Sequence, residues 1–251
     1  LNPRFKFRTD IPYPELRAET NSETGQRQYF TPTGPAWSVT TILGSLPKPG
    51  IDAWRERVGE VEAKRKTLEA TTIGTYTHNR MEAYVLGVEY VPANDPEYEQ
   101  IAKEMFTIMR LMGLSKVREI WGVEVALHLE NLYAGRTDLV CRYNNLPTVL
   151  DYKTSIYWKP GDFVETYKAQ CAMYSMAHNW MFPDVEPIRQ GVIMIGIRPN
   201  PEYNKKAQVQ TIIMNHDELL RYEEAALKMV EMFHSDREQF STREFAYFLT
   251  H

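Results

Sequence analysis

Asp151-Tyr152-Lys153 sets a carboxylate and an ammonium two residues apart, the spacing that projects both from one face of a β-strand. Asp138 lies on the strand before it, and the short Asn144-Asn145 turn can bring it alongside Asp151. Two carboxylates held that close repel unless a cation lies between them, and Mg²⁺ or Mn²⁺ prefers such hard oxygen ligands. The ion can polarise a phosphodiester and lower the pKa of a water, while Lys153 orients or deprotonates that water and counters charge on the phosphate. The competing reading is a ladder of surface ion pairs, since short charged triplets are frequent. Val149-Leu150 and the strand formers around them point to a buried strand, where charges need a reason.

Two helix faces supply further pieces. Gly74, His78 and Glu82 recur at i, i+4, i+8 and share one face, as do Gln170 and Tyr174 on a later helix. Alone, His78 is more often an ordinary hydrogen-bonded helix residue than a ligand, and Gln170-Tyr174 alone carries no weight. Glu124 faces the same way as Glu130; it could join a metal shell, but a solvent-facing strand residue is the commoner outcome.

The elements that must position these groups are legible from periodicity. Leu1 to Trp37 reads as a polar arm with at most a short hairpin, Tyr29-Phe30 on one side of a Thr33-Gly34-Pro35 turn. Ser38 caps a short helix through Leu46, stopped by Pro47-Lys48-Pro49-Gly50. Trp54, Val58, Val61 and Leu68 predict a helix from Ile51 to about Glu69. Another is predicted from Thr71 or Thr72 to Leu86, closed by Gly87. A third follows Asp95-Pro96, with Ile101, Met105, Ile108, Met109 and Met112 inward. Strands follow from Val123, from Tyr133 to Tyr143 and from Thr148 to Thr154; a helix spans Glu165 to Met181. Gln190 to Arg198 and Ala207 to Met214 read as two more strands, and a last helix opens at Asn215 and runs to about Gln239. One α/β domain, 1–251, is the economical reading.

Composition narrows the classes. The 251 residues include 12% aromatics and only 13 Gly, which excludes disordered, collagenous and coiled-coil chains. No apolar run is long enough to span a bilayer, and the residues from Leu1 to Asp10 carry no apolar stretch of the kind a secretory signal needs. Cys141 and Cys171 match no CxxC spacing, which excludes a four-cysteine zinc site or an iron–sulfur cluster and suggests a reducing compartment. Net charge is −4, so any contact with nucleic acid must use a local patch. Arg55, Arg57, Lys64, Arg65, Lys66 and Arg80 form one, interleaved with Glu56, Glu60, Glu62 and Glu69; a solvated helix with i,i+4 pairs is an equal reading. Trp37, Tyr76, Tyr152, Tyr157 and Trp158 are candidates for stacking on unpaired bases, although most aromatics in such a chain are core.

Taken in order, Gly74/His78 on a helix, Gly135/Asp138 and Asp151/Lys153 on strands, and Gln170/Tyr174 on a helix resemble the RecB-like branch of the PD-(D/E)xK nuclease superfamily. Trp37 to Leu43, Ala53-Trp54-Arg55 and Ala70 to Thr75 extend the likeness to the subgroup of the mitochondrial genome maintenance exonuclease and its phage relatives. The resemblance implies a restriction-endonuclease-like α/β/α core, a central mixed sheet flanked by helices. Residues 1–70 would be an N-terminal arm and helical addition, and 71–240 the core. It implies a Mg²⁺- or Mn²⁺-dependent DNA exonuclease preferring single strands or free ends, with Asp138, Asp151 and Lys153 catalytic and His78, Asp138 and Asp151 as ligands. Gln170, Tyr174, Glu82, Arg55, Arg65 and Lys66 would face the DNA. A structure-specific endonuclease and an inactive DNA-binding module are the alternatives. Replication or recombination proteins are candidate partners, since no helicase motif is present. A bacterial cytoplasm is the expected compartment, with mitochondria as the alternative.

Overall fold

A computed structural model describes residues 1–46 and 49–235. The expected stop at Pro47-Lys48 and the predicted stretch of the last helix from 236 to about 239 lie outside the described residues.

Six strands form the central sheet: β1 (Lys6–Phe7), β5 (Val117–Leu129), β6 (Tyr133–Tyr143), β7 (Leu146–Ser155), β8 (Gln190–Ile197) and β9 (Gln208–Met214), in the order β1-β5-β6-β7-β8-β9. β1 runs parallel to β5 and β7 parallel to β8; the other neighbours are antiparallel, so the sheet is mixed. Parallel neighbours need a crossover, and α5 (Glu165–Met181) supplies it between β7 and β8. α5, α6 (His216–His234) and the short α1 (Val39–Gly44) cover one face, packing Ile42, Met173 and Met229 with Val140, Val149 and Ile193. α3 (Glu60–Leu86) and the turns after α4 (Pro96–Ile108) cover the other, with Met81, Val85, Met109 and Leu114 against Leu139, Leu150 and Val192. The expected three layers, helices on both faces of a mixed sheet, are therefore the architecture observed. Among the described residues no helix is long and apolar enough to cross a membrane.

Local signals act as the sequence predicts at several ends. Ser38 caps α1 by accepting from the Thr41 amide, Asp95 caps α4, Asn215 caps α6, and Gly87 closes α3 in the left-handed region.

Elsewhere the structure differs. No break occurs at Thr71-Thr72: α3 is continuous over 27 residues, because the modest cost of β-branched residues in a helix is outweighed by packing of Ile73, Thr77 and Met81. The break falls at Gly59 (φ 82°), which separates α3 from α2 (Pro49–Val58). The 70/71 division thus lies inside one helix. Val61 and Leu68 are exposed despite their helical spacing, and so is Met112, because a π-turn over Met109–Gly113 rotates the chain after Met109. The N-terminal segment is more than an arm. β1 joins the main sheet, and β2 (Ala18–Thr20), β3 (Arg27–Thr31) and β4 (Gly34–Trp37) form an antiparallel sheet that buries Leu16, Tyr29 and Ala36 against Ala126 and Ala134.

Candidate metal centre

The β6–β7 ladder pairs residues from Tyr143↔Leu146 up to Leu139↔Leu150. Beyond that point the two strands part, and the Asp138 carboxylate accepts the Tyr152 amide through Oδ2 where a ladder carbonyl would otherwise stand. The other oxygen of Asp138, Oδ1, lies 3.1 Å from His78 Nδ1. α3 can bring His78 there because Gly74, one turn earlier, lets the helix lie close to β7: a Cβ on Gly74 would stand 3.2 Å from Thr154 Oγ1. The Tyr152 ring meets the imidazole edge-on at 5.8 Å, which fixes the ring plane.

Asp151 is only 2% exposed. Its Oδ1 accepts from Gln170 Nε2 at 3.1 Å, and Gln170 Nε2 also lies 3.3 Å from the Tyr174 hydroxyl. Its Oδ2 is held by the Lys153 ammonium in a direct ion pair. Gly135 explains the rest of the helix–strand fit: a Cβ there would stand 2.7 Å from Tyr174 Cε1, so only glycine admits the tyrosine at this depth. The period-two face of β7 and the i,i+4 face of α5 thus meet in a single chain of contacts, Lys153–Asp151–Gln170–Tyr174.

Glu124 is the residue that sequence reasoning placed toward solvent. The pairs Val123↔Leu139 and Val125↔Thr137 set it opposite Asp138, and its backbone sits at φ 50°, a region that non-glycine residues rarely adopt. His78, Glu124 and Asp138 each offer one ligand atom within 4.8 Å of the others. Asp151 is outside that group, drawn toward Lys153. Arg27, from β3, and Arg136, from the Gly135–Asp138 segment, also line the cleft, which holds about 430 Å³. Neither pairs with a carboxylate among the described residues. A basic residue beside Asp138 was the available signal for Arg136; nothing local in the sequence marks Arg27.

Electrostatics follow from this crowding. Burial pushes Glu124 up to about 8, and the nearby Asp138 and Glu82 charges add to the rise. Burial likewise raises Asp151 to about 6; Lys153 opposes and Asp138 assists. Asp138 is held below the usual carboxylate range: burial would raise it, but His78, Lys153 and the Tyr152 amide together outweigh that cost. His78 and Lys153 are both raised; burial opposes, and the neighbouring carboxylates prevail. The donor set suits a divalent cation. Two carboxylates and an imidazole converge beside the buried Asp151–Lys153 pair, and burial leaves Glu124 largely protonated near neutral pH, a proton that a cation could displace.

The other predicted positions fall outside this cleft. Glu82 lies one turn beyond His78 and acts on Glu124 through its charge. Arg55 pairs with Asp52, Arg65 with Glu62 and Glu69, and Lys66 with Glu62, all on the exposed α2–α3 projection. Arg80 is occupied by Glu99, which ties α3 to α4. Tyr152 is buried, Trp37 packs on Phe233 and Tyr76 packs beside Ile73; Tyr157 and Trp158 are exposed. Cys141 and Cys171 are free and buried.

No family model matches the chain, and no curated protein matches it. Among solved structures, 72% of the chain is similar to 68% of a provisionally named exonuclease from Eubacterium rectale, at 17% identity and a TM-score of 0.45. A phage-related exonuclease from Haemophilus somnus 129PT is similar over 64% of this chain and 82% of its own, at 14% identity and a TM-score of 0.31. These likenesses are too distant to carry a function, which rests on the side chains described above.

Proposed function

We propose that the chain is a Mg²⁺- or Mn²⁺-dependent DNA exonuclease of the PD-(D/E)xK type, acting on single strands or free ends. The observation that supports it is the convergence of His78, Glu124 and Asp138 with the Asp151–Lys153 pair in one cleft. His78, Asp138 and Asp151 are the ligand set read from the motifs, and Glu124 joins them. When bound, the cation supplies Lewis acidity toward a phosphate oxygen and lowers the pKa of water.

The protein's own groups do the rest. Lys153, held as an ammonium by Asp151 and Asp138, orients the attacking water and offsets charge gathering on the phosphate. Gln170 fixes one oxygen of Asp151 and leaves the other turned toward Lys153, and Tyr174 braces Gln170. Arg27 and Arg136 present guanidinium groups that match phosphate oxygens at the cleft wall.

Digestion of end-free oligonucleotides, end-blocked oligonucleotides and covalently closed single-stranded circles tests the reading. End-free DNA should disappear with Mg²⁺ or Mn²⁺, survive in EDTA, and leave the circles intact. Linearised circles would make the protein an endonuclease. A gel shift without any product would make it a binding module.

A further inference from the structure

β7 ends at Ser155, two residues past Lys153, and the chain turns at once into a loop with exposed Ile156, Tyr157 and Trp158. Trp158 is 57% exposed and Tyr157 71%, an unusual outlay of aromatic surface directly after a buried polar site. The loop is not loosely held. Gln210 of β9 accepts the Lys159 amide at 2.9 Å and donates to the Lys159 carbonyl at 2.7 Å, a two-way clamp made by a buried side chain. The Ser155 hydroxyl donates to the Tyr157 carbonyl at 2.7 Å.

β8 runs parallel to β7, with Ser155 paired to Ile197, so the loop after β8 leaves the sheet at the same edge. It carries Tyr203, 71% exposed, and is closed by the Asn200–Lys205 bridge. Each loop pairs a lysine with an aromatic ring: Lys159 Nζ lies 5.8 Å from the Phe163 ring centre, and Lys205 Nζ lies 6.0 Å from that of Tyr203. Neither lysine pairs with a carboxylate among the described residues. Arg198, by contrast, is spent on Glu69 of α3.

We infer that these two loops form a platform for the unpaired bases of a single-stranded nucleic acid leading to or from the cleft. Flat aromatic faces take bases of any sequence, and free ammonium groups beside them take the phosphates between. A protein partner would also bury aromatic surface, but two uncompensated lysines set among the rings favour a polyanion with planar groups. The inference rests on the nuclease reading only for the direction of the strand; the platform itself is independent of hydrolysis.

Oligothymidylate titrated into the protein in EDTA, read by intrinsic tryptophan fluorescence, separates the two claims. The parent should be quenched on binding, and Trp158→Phe should lose most of that quench. Tyr157→Ala/Trp158→Ala should bind about tenfold more weakly, in line with the loss of base stacking. An oligonucleotide with abasic sites should weaken the parent but bind the double variant as poorly as the intact one does. Both side chains are exposed, so the variants should melt like the parent. Equal binding by parent and double variant, or an abasic penalty that survives the mutations, would overturn the platform. The same oligonucleotide with Mg²⁺ reads hydrolysis: binding with quench but no product would leave the platform standing and remove the nuclease reading. Hydrolysis indifferent to the mutations would do the reverse, and a parent that neither binds nor cleaves would remove both.

Discussion

Two ion pairs of the same chemistry, one at the start of α3 and one on β7 against its second half, have opposite consequences. At the start of α3, Glu62 accepts two hydrogen bonds from the exposed Arg65, and its pKa falls to about 2. On β7, Asp151 faces Lys153 no less closely, yet its pKa rises to about 6 because burial outweighs the ammonium. The partner is a cation in both cases; what differs is the water. A solvated pair relaxes into mutual neutrality and asks for nothing more. A buried set of three carboxylates, one imidazole and one ammonium instead keeps a proton on Glu124 near neutral pH, a proton that a further cation could displace. In sequence the dense charge run of residues 55–66 reads equally as a DNA-facing patch and as a solvated helix. Depth, invisible to composition, separates it from the sparse set at 138–153.

The sharpest way to break the buried side is Asp151→Asn. The amide keeps the shape and loses the charge, so hydrolysis should fall at least about 10²-fold while DNA binding persists. Lys153→Ala should do the same and leave Mn²⁺ affinity largely intact, because the ammonium is not a ligand. Single-turnover cleavage beside a calorimetric Mn²⁺ titration checks both, and parent-level activity in Asp151→Asn would end the assignment.

A middle-sized effect should appear in the pH dependence of stability. Glu124 titrates near 4.5 when unfolded and about 8 when folded, so between those values the native state holds a proton that the unfolded chain lacks. Its contribution is therefore complete below pH 4.5 and is lost as pH rises through about 8. In EDTA the Tm should drop over that window, and Glu124→Gln should flatten the decline and melt higher than the parent at pH 8.5. With saturating Mn²⁺ the order should reverse, since the variant lacks a ligand. A variant that melts like the parent across the whole window would return Glu124 to an ordinary strand position.

The smallest effect is expected at the exposed end. Replacing Arg55, Arg65 and Lys66 together by alanine should leave the Tm close to the parent's, because exposed ion pairs contribute little. The salt dependence of single-strand affinity should shift by less than the slope of about 0.7 that one phosphate contact contributes. A drop of about 2 in that slope would instead route the strand along α2 and α3.

What could be read from sequence was whatever is set locally. Period-two patterning located the second half of β5, strand formers around the Asn144-Asn145 turn located β6 and β7 with the side-by-side Asp151 and Lys153, and helical spacing and caps bounded α5 and the starts of α1, α4 and α6. What escaped depends on distant packing. Strict alternation assigns Glu124 to the solvent side with Glu130, but its left-handed backbone and the His78 face of α3 enclose it. β1 is a two-residue strand whose ladder partner lies more than a hundred positions away. Arg27 reaches the cleft only because β3 folds over Ala126 and Ala134, a contact no spacing announces.

The fork where β6 and β7 separate has a use of its own for the experimenter. A backbone amide held by another backbone carbonyl reports little beyond the integrity of the sheet. The Tyr152 amide is held by the Asp138 carboxylate instead, one covalent group away from the oxygen that faces His78. Its proton resonance is therefore wired to the charge on Asp138. Deprotonation of the imidazole, arrival of an ion and approach of a phosphate would each displace the same amide signal, giving the cleft a native reporter that needs no label beyond ¹⁵N.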